Sequence, residues 1–106
     1  MNTSINNYDP IEQLIYTEGL RIQTVDFHKE LDLMLVVLNT KAILQQKISA
    51  YPSIKNATAE QLVQYELIGN GTGINWPALD EDLSLKGFLK DELRKAVSNK
   101  NNTIAA

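Results

Sequence analysis

The chain of 106 residues has no cysteine, one histidine, one tryptophan and three prolines. Without cysteine there are no disulfides, no thiolate nucleophile and no thiolate metal site, which fits a reducing cytoplasm as the setting. Cations are not in excess. Ten Lys and Arg face thirteen Asp and Glu, a formal charge of -3, and the basic residues are scattered, densest at Lys86, Lys90, Arg94 and Lys95. Direct binding to a nucleic-acid backbone needs clustered cations and is not expected. Long hydrophobic runs are also missing. The longest, Leu33 to Leu38, is far too short to span a bilayer. The opening MNTSINNYDP lacks both the basic start and the apolar stretch of a signal peptide. No membrane partner is expected. Glycosylation sequons at Asn2, Asn56, Asn70 and Asn101 therefore signify only a chain rich in asparagine.

What is present describes one ordinary globule: 43% hydrophobic and 22% charged residues. A chain of this length hides roughly two-thirds of its unfolded surface, enough for a core without staples. One α+β domain is expected over residues 9–97, with a disordered N-terminus at 1–8 and a frayed tail at 98–106. The densest information lies in GNGTGINWPALDEDLS, Gly69 to Ser84. It holds Gly69, Gly71 and Gly73, the sole Trp76, and the consecutive acids Asp80, Glu81 and Asp82.

Local patterns predict the elements. Asp9-Pro10-Ile11-Glu12 reads as a helix start, with Asp9 as N-cap and Glu12 at the third position. Ile11, Leu14 and Ile15 share one helical face, and Gly19 is a stop. A strand through Leu14–Thr17 turning at Glu18-Gly19 is the open alternative; the helix is adopted. From Leu20 to Phe27 the apolar alternation changes phase, which a bulge near Gln23-Thr24 reconciles. After a turn at His28-Lys29-Glu30, Leu31 to Leu38 reads as a strand apolar on both faces, which calls for cover on both. Asn39-Thr40-Lys41 turns the chain into a third strand, Ala42 to Ile48, and such short connections favour an antiparallel meander. Thr58 and Gln61 form a capping box for a short helix reaching about Glu66. Ile74 to Trp76 reads as a fourth short strand, because Pro77 holds Trp76 extended. Ser84 caps a final helix with an apolar stripe of Leu85, Phe88, Leu89, Leu93 and Ala96, supported by an Asp91–Lys95 pair.

Few residues suit catalysis. The GNGTG run lacks the helix that follows a phosphate cradle, so it reads as a tight turn at Gly69, Gly71, Gly73 and Pro77. Asp80, Glu81 and Asp82 are possible oxygen donors to a divalent cation, yet acids leading into a helix are also explained by its dipole. Trp76 is a core plug or, beside those acids, an interface anchor. His28 lies in a predicted turn with no nucleophile near it in sequence. No catalytic residue, cofactor or metal ligand is assigned.

The run Tyr51 to Leu89 resembles the small bacterial family called domain of unknown function 2442. The matching features are Tyr51-Pro52, the helix start Asn56 to Gln61, and Gly71, Gly73, Ile74, Trp76, Pro77, Leu79 to Asp82 and Ser84. Residues 20–48 fit more loosely. Two departures stand in the hairpin: Asn39-Thr40-Lys41 replaces an Asp/Asn-Gly turn, and Lys47 stands where a proline is common. The resemblance implies an α+β fold with a small antiparallel sheet and brings no established activity. Some relatives resemble fusions to a helix-turn-helix domain, and others resemble members of small two-gene pairs, a toxin–antitoxin or regulatory context.

The expected fold is thus an α+β meander of three to four antiparallel strands, a short middle helix and a longer C-terminal amphipathic helix. The expected function is a non-enzymatic, cytoplasmic protein-interaction or regulatory (antitoxin-like) module, with Trp76, Asp80, Glu81 and Asp82 as its candidate surface. A protein partner or self-association is expected. The alternative is a domain binding a small ligand or divalent metal through Gly71–Asp82.

Overall fold

Two three-stranded antiparallel meanders, packed through one shared core, make up the body of the protein in a computed structural model that describes the backbone of residues 7–105 and the side chains of residues 7–98. Sheet one comprises β1 (Ile22–His28), β2 (Leu33–Leu38) and β3 (Ile43–Lys47). Sheet two comprises β4 (Glu66–Ile68), β5 (Gly73–Trp76) and β6 (Glu81–Ser84). A short helix α1 (Pro10–Glu12) continues into a π-helical turn, Gln13–Thr17. Helix α2 (Ala59–Leu62) joins the sheets, and α3 (Leu85–Ala105) ends the fold. The disorder expected for residues 1–8 falls mainly outside the described residues. Of the tail expected to fray from residue 98, the side chains beyond 98 lie outside the described residues, while the backbone continues as helix to Ala105.

The local signals act as their chemistry predicts. Asp9 accepts the Glu12 N–H at 2.7 Å while Glu12 accepts the Asp9 N–H at 3.0 Å, a reciprocal cap that settles residues 9–17 as helical. Thr58 and Gln61 repeat the arrangement at α2. The pairing of β1 with β2 shifts register between Ile22 and Thr24. That bulge lets Ile22 and Val25 both face the core despite their opposite parity. Asn39 stitches the start of sheet one. It donates to the Gly19 carbonyl at 2.9 Å and accepts the Arg21 N–H at 3.0 Å.

Three elements differ from expectation. The middle helix stops at Leu62 rather than near Glu66. Tyr65 is held by its hydroxyl, which accepts the Val25 N–H at 3.0 Å, and the chain then pairs as β4 with β5. Of the acids expected to lead into the last helix, Glu81 and Asp82 open β6, and Asp80 ends the turn before it. A charged edge strand is poor by propensity, but it resists edge-to-edge aggregation. The apolar stripe of α3 is only half used. Leu85 and Phe88 are buried and Leu89 packs against the core, whereas Leu93 and Ala96 are exposed. The ion pairs along this part of the helix are Asp91–Arg94 and Glu92–Lys95 rather than Asp91–Lys95.

The core lies between the sheets. Met34, Val36 and Leu38 point inward from β2, with Ile74 and Trp76 from β5 and Phe88 from α3. Trp76 is wholly buried, and its indole N–H donates to the Leu62 carbonyl at 2.9 Å. That carbonyl belongs to the end of α2, where intrahelical partners run out. Phe27 of β1 meets the indole edge-on, centroids 6.1 Å apart, and Tyr65 stacks on Phe27 in the same manner at 5.8 Å. Replacing Trp76 by Phe removes ring volume and orphans the Leu62 carbonyl. We expect Trp76→Phe to lower stability by about 2–4 kcal/mol in urea unfolding with an unchanged slope; a loss below about 0.5 kcal/mol contradicts this role.

Candidate interaction surface

The Gly69–Ser84 segment is spent mainly on building sheet two. A 3₁₀ turn, Gly69–Gly71, links β4 to β5. Gly71 has φ +89°, and a Cβ there would meet the Ile22 carbonyl at 2.8 Å. Glycine is required both for the conformation and for the close approach of this turn to β1. At Gly73, inside β5, an added Cβ would crowd Ile68 and the Leu83 carbonyl, both at 3.2 Å. Thr72 closes the turn by donating its hydroxyl to the Gly69 carbonyl at 2.9 Å, and its own carbonyl accepts the Leu85 N–H at 2.8 Å. The turn therefore anchors the start of α3. Pro77 opens the next 3₁₀ turn, Pro77–Leu79.

Trp76 and the acids do not share a surface, which corrects the expectation that they would. The indole is interior. Strand alternation then divides its neighbours. Glu81 pairs with Trp76 and lies on the core side, while Asp82 pairs with Asn75 on the opposite, solvent side. Asp80 occupies the hairpin corner in a left-handed conformation, φ +53°. The three carboxylates thus diverge instead of converging on an ion. Among the described residues no group of three or more His, Asp and Glu is placed to hold a metal. A shallow hollow of about 270 Å³ does touch this segment, lined by Tyr16, Ile68, Thr72, Asp82 and Leu83 among others.

A different surface has the properties the segment lacks. The outward face of sheet one carries Leu33, Leu35 and Val37 from the central strand. By register, Leu33 lies between His28 and Lys47, Leu35 between Asp26 and Gln45, and Val37 between Thr24 and Ile43. Leu33, Leu35 and Val37 remain partly open to solvent, and Ile43 is 57% exposed. The residues that pack against sheet two and α3 lie on the opposite face, at Met34, Val36 and Leu38. The result is an apolar row with a His28/Asp26 flank on β1 and a Gln45/Lys47 flank on β3. Its signal was in the sequence, as the strand apolar on both faces; the flanks needed the register.

A groove of about 760 Å³ adjoins this face between the β3 edge and the outer half of α3. Leu33, Gln45, Lys47, Tyr51, Asp91 and Arg94 help line it. Its floor is a bonded network. Buried Gln46 donates to Glu92 at 2.8 Å, and the Tyr51 hydroxyl donates to Asp91 at 2.7 Å. Lys95 pairs with Glu92 at 2.8 Å and donates to the Gln45 carbonyl. Burial, and then the Asp91 carboxylate, push the Tyr51 phenol far above its usual range, so it stays a neutral donor. This network fixes the angle of α3 against sheet one. His28 is paired with Asp26 at 3.8 Å across the outer face of β1.

Two further electrostatic clusters are structural. Lys86 of α3 lies 2.9 Å from Glu12 and 3.1 Å from Asp9. The Lys86 hydrogen bond lowers the Glu12 pKa. The Glu12 N–H, and then Lys86, lower that of Asp9, and Lys86 is raised in return. Asp32 accepts the Ser49 hydroxyl at 2.6 Å and the Ser49 N–H at 2.8 Å, and both hold its carboxyl below the usual range.

Comparison with known proteins matches this arrangement to proteins without an assigned role. The sequence model of the family described as "Protein of unknown function (DUF2442)" matches residues 22–93. A protein of unknown function from Rhodospirillum rubrum ATCC 11170, solved by crystallography, is 25% identical, with a TM-score of 0.62 over 69% of this chain and 88% of its own. An uncharacterised protein from Chromobacterium violaceum, solved by NMR, is 26% identical, with a TM-score of 0.64 over 85% of each chain. A comparison with curated protein sequences gives no match.

Gly71→Ala should destabilise by about 2–4 kcal/mol in urea unfolding, because left-handed strain and a backbone clash add; a neutral result removes the close approach from the account. The Lys86 cluster gives a pH signature. Carboxylates whose pKa is lower in the folded state stabilise above their unfolded values and lose that effect as pH falls through the folded ones. The raised Lys86 pKa acts only at the alkaline end. The stability gap between the protein and Lys86→Met should therefore narrow as pH is lowered from about 7 to about 2.5, read as urea midpoints; a constant gap would mean the ion pairs contribute nothing.

Proposed function

We propose, from the premise that the chain belongs to the DUF2442 family of unknown function, that this protein is a non-catalytic protein-interaction module and that its binding surface is the outward face of sheet one with the adjoining groove. The observation that carries this reading is the Leu33–Leu35–Val37 row, partly exposed and continued by Ile43. A contiguous apolar patch rimmed by polar residues marks an interaction site, whereas scattered surface apolar residues do not. The polar flanks match the usual anatomy of such a site, apolar at the centre and hydrophilic at the rim.

A regulatory role, including an antitoxin-like one, is the use to which we assign this module, in a reducing cytoplasm. Small size, the formal charge of -3 and the absence of cysteine support that setting. Among the described residues, no helix is long and apolar enough to cross a membrane.

Leu35→Lys tests the reading. The lysine would sit beside Asp26 on the neighbouring strand, a favourable cross-strand pair, so the fold should hold. We expect an unfolding midpoint that changes by less than about 1 kcal/mol equivalent, with loss of every association the unmodified protein shows in sedimentation and pull-down assays. Association unchanged by the substitution would place the interface elsewhere.

A further inference from the structure

The flanks of the apolar row differ in charge, and this difference selects an occupant. Resting on the interaction reading above, we infer that the face is filled by a second copy of this chain, related by a two-fold axis that runs along β2. Two sheets packed face to face lie about 10 Å apart with strands nearly aligned. A two-fold axis in the plane between them has two simple directions.

Along β2, the axis lays β1 of one copy over β3 of the other. The apolar rows then meet, Leu35 against Leu35. Thr24 lies over the second copy's Ile43, Asp26 over its Gln45, and His28 over its Lys47, given the register of the strands. The Asp26 carboxylate is one side-chain step, about 7 Å along the strand, from the second copy's Lys47, within reach of a long flexible lysine. Self-complementarity makes every such contact occur twice. Across the strands, a two-fold axis centred on Leu35 sets Asp26 over the second copy's Asp26, so like charges meet and the charge flank gains nothing. Charge complementarity therefore favours the axis along β2.

The same arrangement places the groove beside α3 next to the second copy's β1, because α3 runs along the β3 edge, where Lys95 donates to the Gln45 carbonyl. The groove enlarges what would otherwise be a small contact, three short strands wide. Interfaces at the low end of the usual size range give weak or transient pairs. A dimer with a Kd of micromolar order is the expectation.

The test uses the full chain. In sedimentation equilibrium, the protein should be dimeric at several hundred micromolar and monomeric when dilute. Asp26→Lys should raise the dimer Kd about tenfold, and so should Lys47→Asp, while the double variant D26K/K47D should return to within about threefold of the original. Far-UV circular dichroism shows that each variant is folded. A benzoylphenylalanine placed at Ile43 gives an independent readout. Photo-crosslinking in cells should yield a product of twice the chain mass, reproduced with the purified protein. A monomer at all concentrations, or a double variant as weak as the singles, overturns the dimer inference. Crosslinks only to a protein of another mass overturn it too, while leaving the interaction reading in place. No crosslink at all overturns both.

Discussion

One buried side chain couples the parts of this protein. Trp76 belongs to β5, donates its only polar hydrogen to the last turn of α2, and presents its ring to Phe27 of β1. Sheet two, the connecting helix and sheet one are fixed relative to each other at that point. An indole buried without a partner for its N–H would be costly, so the Leu62 carbonyl constrains where α2 must end. Tyr65 repeats the device nearby: its ring packs on Phe27 and its hydroxyl meets the backbone of Val25. Both aromatics combine an apolar body with one directional bond, which gives the interface between the sheets a definite geometry and not merely a greasy contact.

The two sheets also share a method of turning. Between β1 and β2 the chain makes a 3₁₀ turn, Lys29–Leu31, and ends it with Asp32 at φ +54°. Between β5 and β6 it makes another, Pro77–Leu79, and ends it with Asp80 at φ +53°. Each turn closes on a Leu-Asp step, Leu31-Asp32 and Leu79-Asp80. Aspartate tolerates the left-handed conformation better than most residues with a side chain. Its carboxylate is also available locally, and at Asp32 it is used to hold Ser49. Asp80 thus has a backbone reason for its place, separate from any role in binding.

Much of the fold was legible from short-range chemistry. The caps at Asp9 and Thr58, the bulge near Thr24, the two-faced strand and the Ser84 start of α3 each depend on residues within a few positions of one another. Ser84 indeed accepts the Gly87 N–H at 3.0 Å. What was not legible depended on distant partners. β4 is three residues long and pairs with a strand beyond a glycine turn, so no periodicity could reveal it. β6 is acidic and becomes a strand only because β5 offers it an edge. The apolar stripe of α3 does not say how far the domain body extends beneath it, and so Leu93 and Ala96 were expected inside. Trp76 and the acids were not seen to part for the same reason. Adjacency in Trp76 and Asp80–Asp82 implied a common surface, but strand alternation and a hairpin corner sent their side chains in different directions.

The location of the proposed binding face follows from that division of labour. A central strand in a two-layer fold needs apolar residues on one side only, and Met34, Val36 and Leu38 meet that need with full burial. Leu33, Leu35 and Val37 are not required by the core. Threonine at those positions would keep the strand and remove exposed hydrophobic surface. The most family-like segment, by contrast, is explained almost entirely by folding: Gly71 by its approach to β1, Trp76 by the core, Asp80 by the corner. Residues with a complete structural account give little purchase for a functional one. The surplus apolar row on β2 has no such account within the described residues, and its two flanks differ in charge, Asp26 on β1 against Lys47 on β3. The recognisable motif makes the scaffold, and the less conspicuous strand carries the apolar surface on which the proposed interaction rests.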